Sequence, residues 1–211
     1  MEGNLKMKKI LTTLCAVAML AGCTAGGSKK SSTNTSTKEE TAATVMVGTG
    51  SVTSVSNKAK EGSDTAAQFD TTFASVVLEG NVIKYVYFDV AQDKVTYDAT
   101  GHVTSDNTAS TSKKELGDKY GMKDKSSIKK EWYEQVEALE KWAVGKTVEE
   151  VLTMPTTQKD EKHTVTADKD LMTGCTISVT GFQQALDKAA KNAVEVKDVA
   201  SVGSAILTEV S

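Results

Sequence analysis

The chain has 211 residues, 25 lysines without a single arginine, 28 acidic side chains and a formal net charge of −3. With no guanidinium there is no planar fork for reading guanine or clamping phosphate, and an acidic surface repels a polyanion, so no nucleic-acid partner is expected. The length after the first forty-odd residues suits one domain with a real core and not two.

The N-terminus reads as an export signal. Lys6, Lys8 and Lys9 form a basic region, "ILTTLCAVAML" an apolar one, and Leu20-Ala21-Gly22-Cys23 ends it. The apolar run from Ile10 to Ala21 is about a dozen residues where a spanning helix needs roughly 20, so the segment is a signal and not a stable anchor. Met7 opens "MKKILTTL", which is itself a complete beginning. The tetrapeptide resembles the bacterial lipobox, which implies cleavage after residue 22, a lipidated Cys23 carrying palmitate-type chains, and a protein held on the extracytoplasmic face of the cell membrane. Losing residues 1–22 removes three lysines and one glutamate, which leaves the mature chain more acidic still.

Residues 23–43, "CTAGGSKKSSTNTSTKEETAA", carry no aromatic and no bulky aliphatic side chain and read as a flexible tether. Cys15 leaves with the signal and Cys23 is consumed by lipid, so Cys175 is the one cysteine of the expected domain, residues 44–211, and no intramolecular disulfide can form there. His102 and His163 have no second ligand at metal spacing, so no metal site is expected.

The domain begins with extended sequence. "VMVGTGSVTSVS" and "FDTTFASVVLEG" are rich in valine and threonine. In "NVIKYVYFDV" Val82, Lys84, Val86 and Phe88 alternate with Ile83, Tyr85 and Tyr87, and Glu79-Gly80-Asn81 is a hairpin turn between the two runs. "KVTYDATGHVTSD" predicts a further strand pair about Asp98 to Gly101. The period then lengthens. Ser112 and Glu115 form a capping box that opens a short helix stopped at Gly121. Ile128, Trp132, Val136, Leu139 and Trp142 or Ala143 share one stripe of an amphipathic helix closing at Gly145, with both tryptophans read as core. Thr147 and Glu150 repeat the capping box, and Met154-Pro155 ends that short helix. "TTQKDEKHTVTADKD" is a charged surface loop, and Phe182, Leu186, Ala189, Ala190 and Ala193 mark a last helix. Strands followed by helices make an α+β pattern: an antiparallel meander with amphipathic helices in a single domain.

Two familiar motifs are absent. "VGKT" at 144–147 has Glu140 where a phosphate-binding loop needs its first glycine, and it follows a helix where that loop must follow a strand. No Gly-x-Ser-x-Gly is present, neither histidine sits in a triad context, and the carboxylates are spread along charged faces, so a hydrolase has no handle.

One stretch carries chemistry. In "DLMTGCTISVTGF", Asp170, Thr173, Gly174, Cys175 and Thr176 resemble the Asp-x-x-Ser/Thr-Gly-Ala-Thr signature of the FMN-binding domains of respiratory redox subunits and surface flavin lipoproteins. In that family a flavin transferase joins FMN through its phosphate to the last threonine. The resemblance, which spans about residues 68–194, implies Thr176 as the attachment hydroxyl, Gly174 as the residue permitting close approach and Asp170 as the opening acid. Thr173 and Cys175 complete the cofactor-binding set, with cysteine where alanine is usual. "KELGDKYGMK", "EWYEQVEALEKW" and "GKTVEEV" also resemble lipoproteins of Gram-positive anaerobes whose equivalent motif often lacks the glycine.

By its residues alone the motif suits an anion at a turn, with hydroxyls from Thr173 to Ser178, N–H groups exposed at glycine, and Ile177 and Val179 as a buried strand behind. A plainer reading is open as well: the alternation is strand, the glycine a bulge, and Thr180 caps the following helix. The expectation is therefore a membrane-tethered flavoprotein carrying covalent FMN and passing electrons from a quinol-linked donor to an external acceptor. Its alternative is a non-catalytic surface lipoprotein binding a small ligand or protein partner.

Overall fold

The computed structural model describes residues 44–58, 65–105 and 110–209, which belong to one compact unit. The signal, Cys23 and the tether lie outside the described residues. The elements in chain order are β1 (Val45–Lys58), β2 (Thr65–Glu79), β3 (Val82–Tyr97), α1 (Lys113–Leu116), α2 (Trp132–Ala143), α3 (Val148–Leu152), β4 (Thr156–Gln158), β5 (Thr164–Thr166), α4 (Thr180–Lys191) and β6 (Val194–Val196). Antiparallel strands in the order β3-β2-β1-β6 form the main sheet, and β4 and β5 a separate hairpin, so the fold is α+β as the sequence pattern predicts.

β2 and β3 meet at a two-residue turn where Gly80 has φ 62°, the first central position that a type II′ hairpin reserves for glycine. Just beyond it the register shifts. Leu78 pairs with Ile83 but Val77 pairs with Tyr85, which leaves Lys84 as an extra residue. An extra residue reverses which face its successors point to. Ile83 therefore joins Val86 and Phe88 in the core, and the unbroken alternation expected of Val82, Lys84, Val86 and Phe88 does not hold.

In-register pairing places Gly48, Val76 and Val86 on one rung and Gly50, Ala74 and Phe88 on the next, all facing the helices. α4 lies on this face through Phe182, Ala185, Leu186 and Ala189. The approach is close: a Cβ on Gly48 would stand 2.0 Å from the Ala189 carbonyl oxygen. α2 covers β3 beside it with Trp132, Val136, Leu139 and Ala143. Phe88 of β3 packs against Phe182 of α4 at 5.2 Å between centroids, and Trp132 of α2 meets Phe182 at 6.1 Å, which joins the two helices' contributions.

The capping boxes at Ser112/Glu115 and Thr147/Glu150 form as expected. Other local expectations are corrected. α2 starts at Trp132, leaving Ile128 in the preceding turn, because Lys129 takes φ 53° and breaks any helix running through it. The charged stretch after Pro155 contains the β4–β5 hairpin, bonded from Thr156–Thr166 to Gln158–Thr164. Thr180 does not cap α4; it is the first helical residue, Val179 precedes it, and Ile177 and Val179 are buried without forming a strand, the only ladder contact there being the bridge between Val165 and Ser178. Ala193 lies beyond the helix end.

The far face of the sheet is covered by chain that no periodicity announced. After β6, residues 197–209 cross back in extended form. Val202, Ser204, Ile206 and Thr208 are half-buried and their neighbours exposed. Ser204 and Ser75 bond through their hydroxyls, Thr208 Oγ1 donates to Asp93 at 3.1 Å, and the Ser110 amide donates to the Thr208 carbonyl.

Candidate functional site

Along the helix-facing side of the sheet the chemistry changes partway down the same strands. Past the rung of Val52, Thr72 and Val90, the next brings together Ser54, Asp70 and Gln92, and the one after that Ser56, Gln68 and Lys94. α4 begins above this boundary, where Thr72 Oγ1 would be 3.0 Å from a Cβ on Gly181. Asp70, Gln68 and Gln92 are thus half-buried. The Gln68 amide donates to both Asp70 oxygens, at 2.9 and 3.1 Å, and the Gln92 amide to Oδ1 at 2.5 Å.

α1 is fastened next to this patch by a buried carboxylate. Asp89 accepts from the Ser112 hydroxyl at 2.7 Å, the Lys114 amide at 3.2 Å and the Tyr87 hydroxyl at 2.9 Å. Anchoring a carboxylate at the first turn of a helix satisfies N–H groups that have no partner within it. The two lysines of α1 then diverge. Lys114 pairs with Glu140 at 2.6 Å and lies 3.9 Å above the Tyr87 ring. Burial pushes the Glu140 carboxyl above the usual range, partly opposed by Lys114 and the Phe88 amide. Lys113 has only rings beneath it: its Nζ is 5.0 Å from the Tyr120 centroid and 5.3 Å from that of Trp132. Among the described residues no carboxylate comes within ion-pair distance of it. Burial pulls its ammonium down to about 8, while the charges of Asp70 and Asp89 hold it up. Tyr120 and Trp132 stand 6.3 Å apart, and Trp132 and Phe182 6.1 Å, so the patch is walled by rings continuous with the core.

The motif predicted to carry chemistry sits against α2. Asp170 and Thr173 are exposed, with the Thr173 hydroxyl donating to the Asp170 carbonyl at 3.0 Å, and Leu171–Thr173 forms a single 3₁₀ turn. Gly174 has an ordinary φ of −113°; what it supplies is space, since a Cβ there would be 2.8 Å from the Ala138 methyl. Cys175 is fully buried, and burial pushes its thiol up to about 11, so it is an inert packing group. Thr176 is half-buried. Its amide and hydroxyl both donate to Gln135 Oε1, at 2.9 and 3.1 Å, while the Gln135 amide donates to Ser126 Oγ and the Lys130 carbonyl, each at 3.1 Å. A fully buried glutamine thereby clasps the loop before α2, the helix itself and the motif turn.

Gln135 is three residues from Trp132, less than one helical turn, so the first half of α2 carries both the partner of Thr176 and the Trp132 ring. The structure thus brings Thr176 and Gly174 to α2, leaves Asp170 and Thr173 on the surface and inters Cys175. The donor set suits FMN in part: the half-buried Tyr120 ring, a cation without an ion-pair partner among the described residues, and a threonine hydroxyl that must turn away from Gln135 to be esterified. Sequence reasoning missed Lys113, Asp70, Gln68, Gln92 and Gln135. Only Gln135 had a signal, a polar residue inside an apolar stripe. No three His, Cys, Asp or Glu side chains among the described residues gather as a metal site, and no helix among them is long and apolar enough to cross a membrane. No family model matches the chain, and no curated protein or solved structure matches it.

Proposed function

We propose that this protein is an extracytoplasmic flavoprotein, lipid-anchored to the cell membrane through Cys23 and carrying FMN on Thr176, which passes electrons from a quinol-linked membrane donor to an external acceptor. One observation carries the reading: the last threonine of the Asp170-x-x-Thr173-Gly174-x-Thr176 motif is hydrogen-bonded to Gln135 of α2, the helix whose Trp132 ring lies under Lys113. FMN, when bound, supplies the redox chemistry, and the chain supplies position and environment. Thr176 offers the hydroxyl, Gly174 lets the turn lie tight on α2, and Gln135 orients the threonine. Such a protein is an electron carrier more than an enzyme.

Co-expression with a flavin transferase of the family tests the attachment. Flavin fluorescence on a denaturing gel and a matching gain in intact mass are expected in the parent and not in Thr176→Ala. A parent with no added mass overturns the attachment. Cys23→Ser is expected to abolish uptake of labelled palmitate and to leave precursor in the membrane fraction or release protein to the medium.

A second reading has its own support. The Thr176 hydroxyl is already committed to Gln135, and Gly174 is explained by its packing against Ala138, so the motif also makes sense as a docking turn of a non-catalytic surface lipoprotein that binds a small ligand or a protein partner.

A further inference from the structure

We infer that the loop of residues 119–130 is a docking surface for a carboxylate-rich protein partner, set beside the turn that holds Thr176. The inference rests on the reading above for the partner's role as external acceptor, but the charge and build of the loop do not depend on a flavin.

The argument begins with an uneven spread of charge. Residues 119–130 hold five lysines and one acid, Asp124, a net +4 in a chain of net −3, so everything else in the chain carries −7. Lys119, Lys123, Lys125 and Lys129 are exposed, and among the described residues none of them has an ion-pair partner. Of the two flanking acids, Glu131 is buried and Asp118 accepts from the Tyr133 hydroxyl at 3.2 Å.

The loop is built and not slack. The Met122 and Lys123 amides donate to the Glu131 carboxylate at 2.8 and 3.0 Å, and the Lys125 and Ser126 amides both donate to the Met122 carbonyl at 2.9 Å. The Lys129 ammonium donates to the Asp124 carbonyl at 3.1 Å, so it stands between Lys123 and Lys125, whose Cα atoms are at most about 7.6 Å apart. Three cations thus share a span of about one Debye length at physiological salt and act as one field. Met122 and Ile128 are half-buried and Ser126 is buried, which leaves Lys123, Asp124, Lys125, Ser127 and Lys129 on the rim. A rim with no apolar side chain has nothing to insert into a bilayer.

The place of the loop selects the partner. From it the twelve residues of α2, roughly 18 Å of helix, run to Gly145 and Lys146, which bond Ile83 beside the Gly80 hairpin. β1 begins at that same end, with Met46 paired to Leu78, so the cations lie at the end of the domain away from where the expected tether joins. They therefore face what approaches from outside more than the membrane. Gln135 ties this loop to the motif, since it donates to Ser126 and the Lys130 carbonyl and accepts from Thr176, and the Lys130 ammonium would be 4.0 Å from a Cβ on Gly174. A partner seated on the loop is brought to the Thr176 turn. Lysines without arginine offer spread point charges and no phosphate fork, which suits carboxylates distributed over a protein face.

Fluorescein-labelled poly-L-glutamate stands in for the acidic partner and is titrated with the purified full-length chain, read as anisotropy. Saturable binding is expected at about 0.1 M salt, where charges more than about 10 Å apart are screened, and it should weaken as salt is raised. Lys119→Gln, Lys123→Gln, Lys125→Gln and Lys129→Gln combined are expected to lower the affinity about tenfold. Lys141→Gln, Lys159→Gln, Lys162→Gln and Lys197→Gln combined make the same change in net charge at exposed positions elsewhere and are expected to bind as the parent does. Circular dichroism and thermal transitions matching the parent show that both variants are folded. No saturable binding in the parent overturns the inference, and equal losses in the two variants overturn the assignment to this loop. Tighter, loop-dependent binding to phosphatidylglycerol vesicles than to polyglutamate overturns the protein partner in favour of a membrane surface. If loop-dependent binding is found but co-expression with the transferase yields no covalent flavin, the flavin reading fails and the docking surface stands; with attachment and no loop dependence, the reverse holds.

Discussion

The helix-facing side of the sheet has two halves made from the same three strands. In the upper half Gly48, Val76 and Val86, then Gly50, Ala74 and Phe88, lie under α4 and α2 and are sealed from water. In the lower half the rungs are Ser54, Asp70 and Gln92, then Ser56, Gln68 and Lys94, and the short α1 packs against β3 with Lys113, which has no ion-pair partner among the described residues. Strand geometry is continuous across the boundary, so the backbone does not distinguish core from site. The difference is what the helices leave uncovered. Where two glycines admit α4 to van der Waals distance, the face is core. Before the first turn of α4, which no longer covers it, the same pleat presents hydrogen-bonding groups, at some expense in stability.

Trp132 belongs to both halves and is the place to break the comparison hardest. It is 3 % exposed and touches Phe182 on the core side and Tyr120 and Lys113 on the other. Trp132→Ala is expected to lower the unfolding free energy by about 3–5 kcal/mol in urea denaturation, against near zero for exposed Lys141→Ala on the same helix. Equal effects would mean that α2 is not docked by its apolar stripe.

A change confined to the upper half comes next. Gly48→Ala puts a methyl 2.0 Å from the Ala189 carbonyl oxygen and 2.8 Å from the Ala193 Cα, both backbone, so α4 has to retreat. The expected loss is about 2–3 kcal/mol by thermal or urea unfolding, larger than for Gly101→Ala in an open turn, whose cost is only that of its left-handed backbone. Gln135→Ala is expected to cost about 1–3 kcal/mol, because it strands the Thr176 amide and the Ser126 hydroxyl without their shared partner. Hydrogen exchange at the Thr176 amide should rise in that variant ahead of exchange in the sheet.

The smallest expected effect sharpens the comparison by its sign. Lys113→Met in the lower half is expected to raise stability at neutral pH by about 1 kcal/mol, since an apolar chain of similar length replaces a cation that burial disfavours. The folded-state value of about 8 lies below the lysine's usual 10.5, so the unfolded chain binds the extra proton between those two values. The penalty is fully present below pH 8 and is relieved as pH rises towards 10.5, so the parent gains stability across that window and Lys113→Met does not. A variant that is destabilised, or a parent with a flat profile, would mark Lys113 as a structural lysine.

Much of the fold was legible because it rests on local rules. Two capping boxes, a Gly80 turn and the 3.6-residue stripe of α2 are written in neighbouring residues, and each formed. The boundaries that failed were those set by distant contacts. Glu131 and the positive φ of Lys129 moved the start of α2 past Ile128, and the bulge at Lys84 turned Ile83 inward, neither having a periodic signature. The 197–209 crossing was unreadable because its partners, Ser75, Asp93 and Ser110, are about a hundred residues away.

The candidate site divides in the same way. Asp170, Thr173, Gly174 and Thr176 could be singled out in the sequence, because a small residue among hydroxyls near a helix start is a local pattern. That Gly174 serves Ala138, that Thr176 answers to a buried glutamine 41 residues earlier, and that Gln68 and Gln92 both bond Asp70 was decided only when sheet register and helix docking brought them together. The chain by itself settled its α+β pattern and the caps of its short helices, because each of those is an agreement among residues a few positions apart. Which half of one continuous sheet face became core and which became a polar patch was left to the tertiary structure, because that depends on where α4 begins and on how far its backbone can approach two glycines on β1.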